Sequence, residues 1–185
     1  SISGNDVVFI YGGNLGAPQG ISFLIDILIA NQNKKNVFFM IVGSGTRYSM
    51  LKAFISKEQI KNVLLLPLQD IGYYNKLVLS ADIGLIFLDT RFTIPNFPSR
   101  LLSYLENRKP VLAATDKATD LGSIITENNF GFWAESGDIK SFNKHIDNFI
   151  NNRKIISQMG KIGFQYLVDN YSVESTYDKI VSHIS

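Results

Sequence analysis

The sequence predicts an α/β domain in which six mostly parallel strands form a doubly wound sheet of order 3-2-1-4-5-6, with extra helices after the last strand. Three observations carry this. Short apolar runs rich in β-branched and aromatic residues alternate with longer amphipathic ones. The short runs are almost continuously hydrophobic, as expected of strands covered on both faces. The chain has 185 residues, 45% hydrophobic and 18% charged, enough for a single domain with a substantial core.

Taken in order, the strands are expected at Asp6 to Gly12, Asn36 to Gly43, Asn62 to Leu68, Asp82 to Leu88, Pro110 to Thr115 and Gly131 to Glu135. Helical patterns fall between and after them, at Ile21 to Asn31, Tyr48 to Ser56, Tyr73 to Ala81, Pro98 to Asn107, Thr119 to Asn128 and Ile139 to Asn151. Only helices are expected beyond that point, ending in a terminal amphipathic helix with Ser172 as its N-cap. Strictly alternating strands and helices require right-handed crossovers, which gives a Rossmann-like architecture. No linker, low-complexity tract or solenoid repeat interrupts residues 1–185.

Composition narrows the function. A net charge of +2 with scattered Lys and Arg gives no electrostatic case for nucleic acid, and Asn152-Arg153-Lys154 reads as a solvated helix end. Without cysteine there are no disulfides and no thiol-ligated zinc, which suits a cytoplasmic chain. The chain opens on "SISGND" and passes straight into an apolar strand, so its start reads as a cut within a longer protein. Ile21 to Ala30 is the longest apolar stretch and is too short for a bilayer, which needs roughly 20 residues. Any membrane contact is therefore expected to be peripheral.

In this strand order a ligand sits beyond the carboxyl ends of the first and fourth strands. The loop after the first strand, "GGNLGAPQG" (Gly12 to Gly20), has four glycines in nine residues. The loop after the fourth, "DTRFTIPNF" (Asp89 to Phe97), delivers a helix with Arg100 in its first turn. A cation at that end faces the positive end of the helix dipole. An anion shared with the amides of Ser99, Arg100 and Leu101 would offset it. The alternative is a surface ion pair of Arg100 with Glu106 or Asp89. "VGSGTR" (Val42 to Arg47) offers a weak Gly-x-Gly that reads more readily as a plain tight turn. Neither glycine loop gives G-x-G-x-x-G, no acid ends the second strand, and there is no Walker A sequence, which argues against NAD enzymes and P-loop NTPases.

The frame "GGNLGAPQG … IVGSG … ADIGLIFLDT … FPSRLLSYLENRKPVLAATD … NNFGFW…SGD" resembles the C-terminal, nucleotide-sugar-binding domain of retaining GT-B glycosyltransferases, family 4 (group 1), over nearly the whole chain. The likeness is greatest to bacterial enzymes that build capsule, lipopolysaccharide or O-antigen polysaccharide. It implies that residues 1–185 form one donor-binding domain, inactive alone, that faces an N-terminal domain holding a glycan or lipid-linked acceptor. The donor would be a UDP- or GDP-linked sugar, the place of work the cytoplasm or inner membrane face, and no metal or other cofactor would be needed. The sequence has no Asp-x-Asp motif, and His145 and His183 lie far apart.

The resemblance also implies site residues. Gly13, Asn14, Gln19 and Gly43 would lie by the phosphates, Leu68 and Gln69 by the nucleobase, and Asn96, Ser99, Arg100, Leu101 and Ser103 along the helix that meets the diphosphate and ribose. Asn14 and Gln19 stand where the family usually carries an Arg and a Lys. Pro95 and Ser103 stand where it carries two glutamates, one near the transferred sugar and one on the ribose. Ser103 keeps a hydroxyl of shorter reach. Glu106, about 60° round the helix, is a poor substitute. Arg100 survives at the family's basic position. The expected function is retaining sugar transfer to a bacterial surface glycan, with no catalytic residue assignable. A non-catalytic nucleotide-sugar or partner-binding domain is the alternative, and a sugar epimerase of the same two-domain fold is a third reading.

Overall fold

A computed structural model describes residues 2–91 and 98–171. In chain order it contains β1 (Val7–Asn14), a 3-10 turn (Ala17–Gln19), α1 (Ile21–Asn31), β2 (Val37–Ser44), α2 (Tyr48–Lys57), β3 (Val63–Leu66) and α3 (Ile71–Ser80). There follow β4 (Ile83–Phe87), α4 (Arg100–Glu106), β5 (Val111–Thr115), α5 (Leu121–Glu127), β6 (Gly131–Glu135), α6 (Ile139–Asn151) and α7 (Lys154–Tyr171). The six strands form one sheet of order β3-β2-β1-β4-β5-β6 in which every pairing is parallel. The predicted architecture and strand order are those observed.

Alternation along the strands sends side chains to two cores. Val7, Phe9 and Tyr11 of β1 pack under α1 and α6 with Phe39, Phe87, Phe142 and Phe149, in a ladder of tilted and edge-on rings. Val8 and Ile10 face the other way, with Met40, Ile86, Tyr104, Leu105 and Phe130 beneath α3, α4 and α5. Each such ring or aliphatic side chain, fully removed from water, contributes roughly 1.5–3 kcal/mol.

The boundaries differ from expectation where a side chain or glycine decides them. β1 runs on to Asn14, pairing Gly13 with Gly43 and Asn14 with Ser44, so the first third of the expected glycine loop is strand. β3 stops at Leu66 because Pro67 has no N–H for the ladder. α3 starts at Ile71 rather than Tyr73 because Asp70 caps it, accepting the Tyr73 amide at 2.9 Å. α5 is delayed to Leu121 because the Asp116 carboxylate organises the preceding loop, accepting from the Ala118 amide (2.8 Å), the Thr119 amide (2.9 Å) and the Thr119 hydroxyl (2.6 Å). α4 is shorter than expected, and the expected terminal helix with Ser172 lies outside the described residues, as does His183.

α7 was expected only as part of an unassigned helical tail. Its apolar pattern is interrupted by Gly160 and Gly163, both buried. These glycines let α7 lie directly against the C-terminal end of α4. A side chain at Gly160 would collide with the Arg108 carbonyl, and one at Gly163 would come 2.7 Å from Leu105. His145 is an ordinary packed residue of α6, its ring stacked on Phe132 at 4.7 Å, and burial lowers its pKa.

Candidate functional site: a cleft at the carboxyl edge of the sheet

At the carboxyl ends of β1 and β2 lies a cleft of about 510 Å³. The tail of β1 (Gly12, Gly13, Asn14) forms its floor, and Ser99, Arg100 and Ser103 at the start of α4 form one wall. Leu68, Gln69, Ile71 and Tyr74, from the β3–α3 connection and α3, form the other. Leu68 and Ile71 are 68% and 76% exposed, so the mouth on that side is an apolar lip.

Arg100 belongs to a helix on one face of the sheet, yet its guanidinium crosses the end of β1 to reach groups on the other face. Its Cζ lies 4.5 Å from the centre of the Tyr11 ring, and its Nη2 donates to Gln19 Oε1 at 2.6 Å. Gly13 is the saddle it crosses. With φ of +127°, that residue has a backbone conformation L side chains rarely adopt, and a Cβ there would sit 3.2 Å from Nη2. Nη1 is shielded from water and has no hydrogen-bond partner among the described residues. A cation–π contact with a neutral amide partner leaves the positive charge uncompensated.

The ion-pair alternative is overturned for Asp89, and Arg100 makes no salt bridge to Glu106. Asp89 is bonded by its own neighbour Arg91, through Nε (2.8 Å), Nη2 (2.6 Å) and the backbone amide (3.0 Å). The Arg91 hydrogen bond holds the Asp89 carboxyl below its usual value, against partial burial. None of the described residues lining the cleft is acidic.

Three tyrosines that the sequence did not single out shape the site. Tyr11, fully buried, donates its hydroxyl to the Asn14 carbonyl at 2.6 Å. Tyr104, also fully buried, lies within 3.1 Å of the Ile10 carbonyl and 3.3 Å of the Leu85 carbonyl as donor, and accepts from the Gly12 amide at 3.3 Å. Tyr74 lies on the cleft wall. Burial raises the pKa of all three, that of Tyr104 most strongly, so each stays a neutral hydroxyl at ordinary pH. In sequence they sit in apolar or amphipathic runs where a tyrosine reads as core. Only the glycines at 12 and 13, beside Tyr11, signal that the backbone there is closely approached.

Of the residues singled out in sequence, Gly13, Asn14, Leu68, Gln69, Ser99, Arg100 and Ser103 converge on this cleft. Three others do not line it. Gln19 is 8% exposed, with its carbonyl oxygen engaged by Arg100. Gly43 serves strand pairing opposite Gly13. The Leu101 amide, expected to face an anion, donates instead to the Pro98 carbonyl at 2.9 Å, closing the turn into α4, and its side chain is in the core. Asn96 and Pro95 lie outside the described residues.

Comparison with known proteins bears on what this cleft belongs to. The family described as Glycosyl transferases group 1 matches the chain over residues 1–166. The chain belongs to that family. The "Probable glycosyltransferase WbjE" of Pseudomonas aeruginosa is 23% identical over 175 residues, spanning 95% of this chain and 43% of the relative. The chain thus spans less than half the length of that curated relative. Among solved structures, Anabaena Alr3699/HepE in complex with UDP superposes with a TM-score of 0.79 at 19% identity, covering 97% of this chain and 49% of that one. The C-terminal domain of the glycosyl transferase group 1 family protein LpcC from Francisella tularensis gives 0.72 at 14% identity, covering 90% and 86%. At these identities the structural likeness establishes the shared fold. Among the described residues, no helix is long and apolar enough to cross a membrane, and no three His, Cys, Asp or Glu side chains group to hold a metal ion.

Proposed function

We propose that the cleft is the donor site of a glycosyltransferase and that it holds the diphosphate of a UDP- or GDP-linked sugar against Arg100. The observation that carries this is the guanidinium stretched across Gly13 at the point where strand order reverses, with no carboxylate among the described residues lining the cleft. Family membership supports it, as do the UDP complexes of HepE and of Staphylococcus aureus TarM, which share the fold.

In this reading Arg100 and the backbone at the start of α4 stabilise negative charge as it develops on the departing diphosphate, a role that needs no metal. Ser103 meets a ribose hydroxyl, the Leu68–Ile71 lip shelters the base, and Asn14 donates an uncharged hydrogen bond. Residues 1–185 act as one donor domain opposite an N-terminal domain that brings a glycan or lipid-linked acceptor. The sugar is transferred with retention to a growing bacterial surface glycan, in the cytoplasm or at the inner membrane face.

Titration with UDP and GDP, followed by NMR, tests the reading. Shifts centred on Asn14, Ser99 and Arg100 are expected, and their absence at millimolar nucleotide would overturn it. One observation favours a second reading, a domain that binds without transfer. Arg100 is the one charged side chain among the described residues lining the cleft, with neutral Asn14 beside it and neutral Gln19 engaged by the guanidinium. Turnover by the full-length protein with a lipid-linked acceptor decides between the two.

A further inference from the structure

We propose that Gln19 is the positioning residue for Arg100, holding the cation in place without neutralising it. This rests on the donor-site reading above but assigns Gln19 a role other than phosphate contact. The amide sits on the 3-10 turn after β1, nearly buried, and its backbone N–H donates to the Gly16 carbonyl at 3.1 Å. Its Oε1 accepts Arg100 Nη2 at 2.6 Å, while the Tyr11 ring supports the guanidinium at 4.5 Å. Tyr11 is in turn tied by its hydroxyl to the Asn14 carbonyl, so both supports belong to the same β1 corner.

The neutrality of this pair is the functional point. A carboxylate at position 19 would meet the same Nη2 as an ion pair, and an incoming anion would have to displace it. A lysine would repel the guanidinium. An apolar side chain would remove the acceptor of Nη2 and leave the guanidinium free to rotate away. Glutamine fixes one donor and leaves the net charge for the ligand. Asp89, which could otherwise have served as a counter-ion, is occupied by Arg91.

The test is a double-mutant cycle on UDP and GDP affinity, measured by NMR titration of the parent chain, Gln19→Glu, Arg100→Ala and the double variant, with unfolding midpoints recorded for each. Gln19→Glu is expected to weaken binding of whichever diphosphate the parent prefers by about tenfold or more, and Gln19→Met by about threefold. In the Arg100→Ala background, Gln19→Glu should change affinity by less than about twofold, because the residue acts through that cation. Undiminished affinity in Gln19→Glu, or an equal loss in both backgrounds, would overturn the positioning role and leave the donor site standing. A parent chain that binds neither nucleotide would overturn both. If Gln19→Glu unfolds, Gln19→Met decides: unchanged affinity there overturns the role.

Discussion

Gly43 of β2 faces Gly13 of β1 so closely that a Cβ on Gly43 would collide with the Gly13 carbonyl oxygen. That oxygen belongs to the strand backbone over which Arg100 passes, so the obstacle cannot swing aside as a side chain would. Gly43→Ala is therefore expected to destabilise the fold by about 1–3 kcal/mol through overpacking and to weaken nucleotide binding by displacing Gly13. Urea unfolding with a parallel UDP titration checks this, and an unchanged midpoint would refute the contact.

Arg100→Ala should cost about 1.5–3 kcal/mol of diphosphate affinity if the guanidinium makes a charge-assisted contact. Arg100→Lys keeps the charge but loses the planar fork that spans Tyr11 and Gln19, so it should fall between the parent and the alanine variant. Calorimetric titration with UDP and GDP gives the ordering. Equal affinity across the three proteins would remove Arg100 from the site.

Tyr104→Phe keeps the ring that fills the space beside Gly84 and removes a buried hydroxyl that serves strand carbonyls and the Gly12 amide. Leaving those groups unpaired is expected to cost about 1–3 kcal/mol in unfolding free energy. An unaltered denaturation midpoint would contradict it.

The Asp116 carboxylate supplies a pH dependence. Burial opposes its ionisation, but hydrogen bonds from the Thr119 hydroxyl and the Ala118 and Thr119 amides outweigh burial and set its pKa below the ordinary value. A carboxyl whose folded pKa is depressed adds stability that is fully present above its unfolded pKa of about 3.9. That stability is lost as pH falls through the folded value. Asp116→Ala should therefore cost about 1–3 kcal/mol near neutrality, and the gap to the parent should narrow on acidification below about pH 4. Unfolding curves across that range measure it, and a gap independent of pH would count against the assignment.

The architecture was legible because the strands are near-continuous apolar runs and most of the helices between them are amphipathic, while several exact boundaries depended on a cap or a proline that the period does not mark. Arg100 was legible for a different reason, as a charge at the unfavourable end of a helix. The pattern did not show where that charge goes. Gln19 reads as a loop amide and Tyr11 as a core aromatic, and only the tertiary crossing over Gly13 joins them. The engagement of the Leu101 amide was equally hidden, since it depends on the Pro98 carbonyl turning inward. Helix α7 escaped assignment because Gly160 and Gly163 look like breaks in a helical stripe until the partner they admit is seen.

The notch made by those two glycines reaches the site from a distance in sequence. Helix α4 carries the cation at one end and meets α7 at the other, and residues 154–171 follow every strand in the chain. A bulkier residue at Gly160 or Gly163 would therefore push on α4 from the end opposite Arg100, while Tyr11 and Gln19 hold the guanidinium itself.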